Sequence, residues 1–290
     1  MSDELQLTPP IVDEALVETR RVYLAMPWYK TAHPKTVFSL LSIWDRRRMA
    51  ASLDFGDAAI WHSRNKLADH FLKSGLEWQF TCDDDMIFPM GNSALFNSFT
   101  GLNLPDKFAG RNVLTRLLES GKTLIGVLYF GRWKHGLPVY AEGASDKAEE
   151  AWVRRGPHDI VKPTRWVGTG GLLIHRSVYL DIEKKFPALA RKENGSGGQF
   201  FSPSEHDLVQ KANSAKEILS DPTKTADEKI RLATEQLELG QRMSGRNSGL
   251  GAGEDVTFCR RALQSGHQPF VDCGCIAGHA GESIYGPGAQ

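Results

Sequence analysis

Apolar and polar positions along the chain follow two rhythms: short unbroken apolar runs, and longer stretches with a single apolar face. Residues 21–26, Arg21-Val22-Tyr23-Leu24-Ala25-Met26, predict a first strand, stopped by Pro27. A helix over 34–50 follows, with Pro34 at its start and Val37, Leu40, Leu41 and Trp44 on one face. A second helix from Ser63 to Lys73 closes at Gly75, and Trp78 to Cys82 then reads as a buried strand. Helix 111–120, strand 123–128, a strand–glycine turn–strand over 166–175, helix 254–265 and strand 269–273 continue the alternation. That order predicts an α/β fold with a mainly parallel sheet flanked by helices.

Three stretches break the rhythm. Residues 1–18 read as a lead-in, with Pro9-Pro10 stopping any early helix, ahead of one domain over 19–290. Residues 130–163, rich in Gly, Pro, Trp and His, read as a functional loop region. Past a Gly/Ser-rich linker at 190–202, the polar stretch 203–243 carries a capping box at Thr225 and Glu228. Its narrow stripe of Ala226, Ile230, Ala233 and Leu237 predicts a helical-hairpin insertion that packs on the main domain or covers the site.

Composition narrows the classes. The 290 residues can bury a large core, and 35 basic residues balance 35 acidic ones. A neutral chain gives no general electrostatic case for nucleic acid or anionic membrane, and Arg46-Arg47-Arg48 reads as a solvated helix face. No window reaches the ~18–20 apolar residues of a membrane span. The acidic N-terminus lacks a signal-peptide pattern, so the expected location is the cytoplasm. Four cysteines are too few for a disulfide scaffold. Cys273-Gly274-Cys275 with His279 suggests zinc, but structural zinc pairs usually hold two residues between cysteines, so buried thiols are the default.

Three stretches carry candidate chemistry. Asp83-Asp84-Asp85 ends the apolar run of 78–82, where ligands of open α/β sheets bind. Like charges this close repel unless a cation or donors neutralise them; Asp83 and Asp85 read as facing a divalent ion that also holds phosphate oxygens, or the triplet is a solvated loop. Glu254-Asp255 opens a helix after Gly251-Ala252-Gly253, as a dipole-favoured cap or as an acid/base pair. His279, between glycines near a strand end, reads as a metal ligand or an exposed loop histidine. Gly168-Thr169-Gly170-Gly171 is not a dinucleotide loop, since Leu173 stands at the third glycine and a strand follows. P-loop, zincin and α/β-hydrolase motifs are absent as well.

Taken in order, Ser63-Arg64-Asn65, Asp83 to Pro89, Gly168 to Arg176, Gly253 to Arg261 and His279-Ala280-Gly281 resemble a nucleotide-sugar glycosyltransferase of the GT-A fold, family-2-like, of the bacterial and phage type. The resemblance covers about 21–130 and 164–282. It implies that Asp83 and Asp85, with Asp84 between them, bind Mn²⁺ or Mg²⁺ and the donor, and that His279 is a further metal ligand. It also implies that Pro27, Trp28 and Arg64 flank the nucleotide, that Gly170 and Gly171 line the sugar cleft, and that Asp255 is the base of an inverting transfer with Glu254 beside it. The implied donor is a nucleoside-diphosphate sugar, a UDP-sugar first. The acceptor is a hydroxyl, either on a hydroxymethylated pyrimidine of phage DNA or on a surface glycan. Two other readings stand beside it: a sugar-nucleotide pyrophosphorylase, although 26–30 lacks the glycines such a loop needs, and a non-catalytic zinc-containing nucleic-acid-binding or assembly protein.

Overall fold

The computed structural model describes residues 21–28, 32–45, 49–55, 60–131, 139–141, 160–190, 197–202, 205–244 and 253–280. The lead-in at 1–18, Arg46-Arg47-Arg48, most of the 130–163 loop, part of the 190–202 linker, Gly251-Ala252 and Gly281 lie outside them. The chain begins β1 (Val22–Trp28), α1 (Pro34–Ile43), β2 (Met49–Phe55), α2 (Ile60–Ser74), β3 (Trp78–Cys82) and β4 (Met86–Ile87). It continues with α3 (Ser93–Thr100), α4 (Asp106–Ala109), α5 (Val113–Glu119), β5 (Leu124–Leu128), β6 (Tyr140–Ala141), β7 (Val161–Pro163) and β8 (Trp166–Val167). Then come β9 (Gly171–His175), α6 (Arg176–Lys185), α7 (Glu205–Ser220), α8 (Ala226–Ser244), α9 (Glu254–Gln264), β10 (Phe270–Ile276) and β11 (Gly278–His279). Among the described residues no helix is long and apolar enough to cross a membrane.

Among the described residues seven strands form one sheet, in the order β2-β1-β3-β9-β5-β10-β7. Parallel pairings join β1 to β2 and β3, and β5 to β10. β9 is antiparallel to both β3 and β5, and β7 is antiparallel to β10. The fold is α/β, but the sheet is mixed rather than mainly parallel. The chain enters β9 at the carboxyl end of β3, straight from the Gly168–Gly170 turn, so the strand must run back along β3 and β5. Its first residue, Gly171, therefore pairs with Cys82 at the carboxyl end of β3.

β3 and β5 are buried along their whole length, as unbroken apolar runs require. β1 runs on through Pro27, past its last pair with β3 at Ala25, so the missing N–H costs that ladder nothing. Helix α1 ends at Ile43, and Met49–Phe55 is an edge strand instead of helix end. Its Met-Ala-Ala-Ser-Leu sequence has no β-branched residue, so pairing with β1 overrides local propensity.

An aromatic cluster fixes the stretch ahead of the helical hairpin. Phe201 stacks on Phe258 at 4.5 Å, Tyr179 meets Phe200 edge-on at 4.8 Å, and the Tyr179 hydroxyl donates to Gln79 at 2.6 Å. Burying each such ring stabilises the fold by roughly 1.5–3 kcal/mol. Arg261 donates to the carbonyls of Gln199, Phe200 and Ser202, while Asn65 accepts from the Phe201 amide and donates to Ser202. This irregular segment thereby keeps its backbone polar groups satisfied. Helices α7 and α8 leave from it and pack chiefly on one another, with Ala215 and Ala233 between them. Ile230 and Leu237, expected in a packed stripe, are 62% and 47% exposed, whereas Ala233 of the same stripe is buried.

Candidate functional site

The carboxyl ends of β1, β3, β5 and β10 and the amino end of β9 meet at one edge of the sheet. Asp83, Asp84 and Asp85 form the turn between β3 and β4, closed by Met86 N–H on the Asp83 carbonyl. The Asp83 amide donates to Gly170 O, the Asp84 carbonyl accepts from His33 N–H at 2.8 Å, and the Asp85 carbonyl accepts from Ala280 N–H at 2.7 Å. The triplet is thus half-buried and held on three sides rather than solvated.

Arg64 sits in the opening turns of α2, and its side chain is 2% exposed. Its guanidinium donates to Asp83 Oδ1 at 2.6 Å and to Thr81 Oγ1 at 3.2 Å, while Nε lies 3.6 Å from Glu254 Oε1. Burial alone would lower its pKa, yet Asp83 and Glu254 together outweigh that and raise it. Arg64 therefore joins the aspartate turn to the start of α9, and one oxygen of Asp83 is already committed to it. Pro27 and Trp28 end β1 at the same sheet edge.

Glu254 and Asp255 are the first residues of α9, after Gly253, which offers no side-chain cap. Asp255 Oδ1 accepts from the Val256 amide at 2.7 Å. Burial first, and the Glu254 charge second, push the Asp255 carboxyl up to about 7, against the Val256 amide and Arg64. Charge of this sign is favoured at a helix start, but the shift sets the group where a proton acceptor works near neutral pH.

His279 reaches the aspartates through the β4–β11 ladder, where it pairs with Met86. Its Nε2 lies 3.3 Å from Asp85 Oδ1, and its Nδ1 lies 3.1 Å from the Phe130 carbonyl. A ring that donates from Nδ1 to a backbone carbonyl directs Nε2 as a ligand, the arrangement usual for metal-binding histidines. Two ligands ~2.1 Å from one ion lie ~3.0–3.4 Å apart at octahedral or tetrahedral angles, so the Asp85–His279 spacing fits a shared cation. Among the described residues no group of three or more His, Cys, Asp or Glu side chains gathers as a ready-made metal cage. Two protein donors suit Mg²⁺ or Mn²⁺ held jointly with substrate phosphates, not a structural zinc. All four cysteines are buried and outside any disulfide.

Tyr129, absent from the sequence-based candidates, lies at the centre of this edge. Its hydroxyl accepts from Gly170 N–H at 3.1 Å, and its ring stands edge-on to His279 at 6.0 Å. Burial, then Asp83 and Asp255, raise its pKa well above the usual phenol value, so it stays protonated. It directly follows the buried run of β5, and the strand-end rule would have pointed to it. The glycines make room for it: a Cβ on Gly168 would sit 2.0 Å from Tyr129 Oη, and one on Gly170 would sit 2.9 Å from it. Gly171 is packed against Val127 and Phe88 instead. Gly168→Ala is expected to destabilise by ~1–3 kcal/mol through this overpacking, read as a lower urea midpoint. An unchanged midpoint would show the turn to be loosely packed.

No family model matches the chain, and no curated protein sequence matches it. Among solved structures it is similar to the crystal structure of A197 from STIV, at 10% sequence identity and a TM-score of 0.47, with 93% of this chain and 92% of that chain covered. A likeness that distant bears on neither chemistry nor substrate.

Proposed function

We propose that this chain is a metal-dependent glycosyltransferase with a GT-A type fold. It would move a sugar from a nucleoside-diphosphate donor to an acceptor hydroxyl, on a modified DNA pyrimidine or on a glycan. The observation that carries this reading is the Asp85–His279 pair at 3.3 Å, set at one sheet edge with the buried Arg64–Asp83 pair and with a carboxyl of raised pKa, Asp255. Asp85 Oδ1 and His279 Nε2 would hold Mn²⁺ or Mg²⁺. The ion supplies Lewis-acid neutralisation of the charge that grows on the departing diphosphate.

The chain's own groups do the rest. Arg64 keeps Asp83 oriented beside that pair. Asp255 Oδ1 is tied to the Val256 amide, which leaves Oδ2 to take the acceptor hydroxyl's proton. The Gly168–Gly171 turn, drawn down onto Tyr129, brings backbone rather than side chains to the cleft wall. A panel of nucleotide sugars, offered with Mn²⁺, Mg²⁺ or EDTA to the native chain and to Asp85→Asn, tests the reading. One donor engaged only with metal, and lost in the variant, is the expected result. No engagement of any donor with any metal would overturn it.

A further inference from the structure

Strand β10 leaves its ladder at an unusual place. Phe270, Val271 and Asp272 pair with Ile125, Gly126 and Val127 of β5, and the next pair is Ile276 with Leu128. One step on β5 thus spans four on β10, and Cys273, Gly274 and Cys275 loop out of register. Looped residues lose ladder partners for their amides, and the loss is costly in a buried strand. Here Cys273 N–H donates to the Ile160 carbonyl at 3.0 Å, and one carboxylate takes the other two amides: Asp272 Oδ1 accepts from Gly274 N–H at 2.9 Å and Cys275 N–H at 3.2 Å. That carboxylate is 2% exposed, and Arg116 of α5 neutralises it bidentately, with Nε on Oδ2 at 2.7 Å and Nη2 on Oδ1 at 2.9 Å. Arg116 is itself held by the Lys107 carbonyl at 3.1 Å.

The bulge has a geometric result. Past it, Ala277 N–H rejoins the Leu128 carbonyl, and the chain crosses to pair with β4, which sets His279 against Met86 and Ala280 N–H on the Asp85 carbonyl. We propose that Arg116 and Asp272 are positioning residues that shape this bulge so that His279 Nε2 faces Asp85. The purpose of that placement, holding a cation, rests on the metal-dependent reading above; the placement itself does not.

The test uses Arg116→Met combined with Asp272→Leu, which removes the buried ion pair without leaving either charge alone. Asp272→Asn, which keeps an acceptor for the two amides, is the second variant. In metal-free protein, nitrogen NMR of His279 reads its Nδ1–H tautomer, and hydrogen exchange reads the Ala280 amide. For the double variant we expect the tautomer signature to be lost and Ala280 to exchange at least ~10-fold faster, while amides of β1 and β3 stay protected. Asp272→Asn should keep more of both signals. Unchanged His279 and Ala280 signals in the double variant, or protection lost equally across the sheet, would overturn the proposal. Mn²⁺ titration adds the separate reading: a ~10–100-fold weaker Kd in the double variant is expected of a group that orients a ligand. If the native chain binds no Mn²⁺, the functional reading falls, and the His279 and Ala280 signals still decide the positioning role.

Discussion

Under the proposed glycosyltransferase activity, Asp255→Asn is expected to lower sugar transfer by ~10²–10⁴-fold while making the protein more stable above neutral pH. The loss follows from removing the proton acceptor, whose usual contribution is of that size. In the native chain the rate should fall as pH drops below about 7, where burial and Glu254 cause Asp255 to hold its proton. The stability effect has the opposite sense. A carboxyl with a raised folded pKa favours the folded state at pH below the unfolded value of 3.8, and that advantage is lost as pH rises through about 7. Above that pH the charged carboxylate costs about 1–3 kcal/mol, discounted for its partial exposure, and the amide avoids this cost. Thermal unfolding of both proteins from pH 4 to 9 should therefore converge at the acid end and separate with the variant higher at the alkaline end. A variant that transfers sugar at the native rate would remove Asp255 from the chemistry.

Arg64→Met should be the most destabilising single change at the site. It strips the cation from between Asp83 and Glu254, whose side chains are 26% and 22% exposed, and leaves both carboxylates facing a buried apolar group. Breaking a buried pair from one side costs about 3–5 kcal/mol, and the exposure of the acids places the expectation near 3 kcal/mol. Arg64→Lys should recover little, because one ammonium cannot reach Asp83, Thr81 and Glu254 together. Combining Arg64→Met with Asp83→Asn and Glu254→Gln should restore most of the loss. Urea unfolding measures each step; a change below ~1 kcal/mol for Arg64→Met would mean that the guanidinium is solvated, not structural.

The residues that carried a readable signal were those whose chemistry and position pointed the same way. Trp78–Cys82 announced a buried strand because both of its faces are covered, and the carboxylates after it had to stand at its exposed end. Gly170, Gly171, Glu254, Asp255 and His279 fall at the same sheet edge for related reasons, being strand or helix starts and ends. Other features left no local trace. The direction of β9 depends on which slot in the sheet is vacant, and nothing within Gly171–His175 encodes that. Arg64 is singled out by the resemblance alone, and its burial has no local sign: the two acids that converge on it from residues 83 and 254 draw it inside. Tyr129 reads as one more core aromatic until the glycine turn folds onto its hydroxyl. Ile230 and Leu237 share a helical face, but periodicity says nothing about whether a neighbour exists to cover it.

The reversed central strand also bears on how the molecule is made. β9 fills the slot between β3 and β5, although it is synthesised 43 residues after β5 ends (171 − 128) and 89 after β3 ends (171 − 82). Until it emerges from the ribosome, the β2-β1-β3 half and β5 present open inner edges with nothing to join them. Such edges are templates for wrong pairing, and closing them needs a contact between residues distant in the chain, which is slow to form. The strand that closes the gap also brings Gly170 onto the aspartate turn and Tyr129. Nascent chains shorter than this strand lack a continuous sheet, so the aspartate turn meets Gly170 only once β9 has emerged, and α9 and β11 bring Asp255 and His279 to the same edge later still.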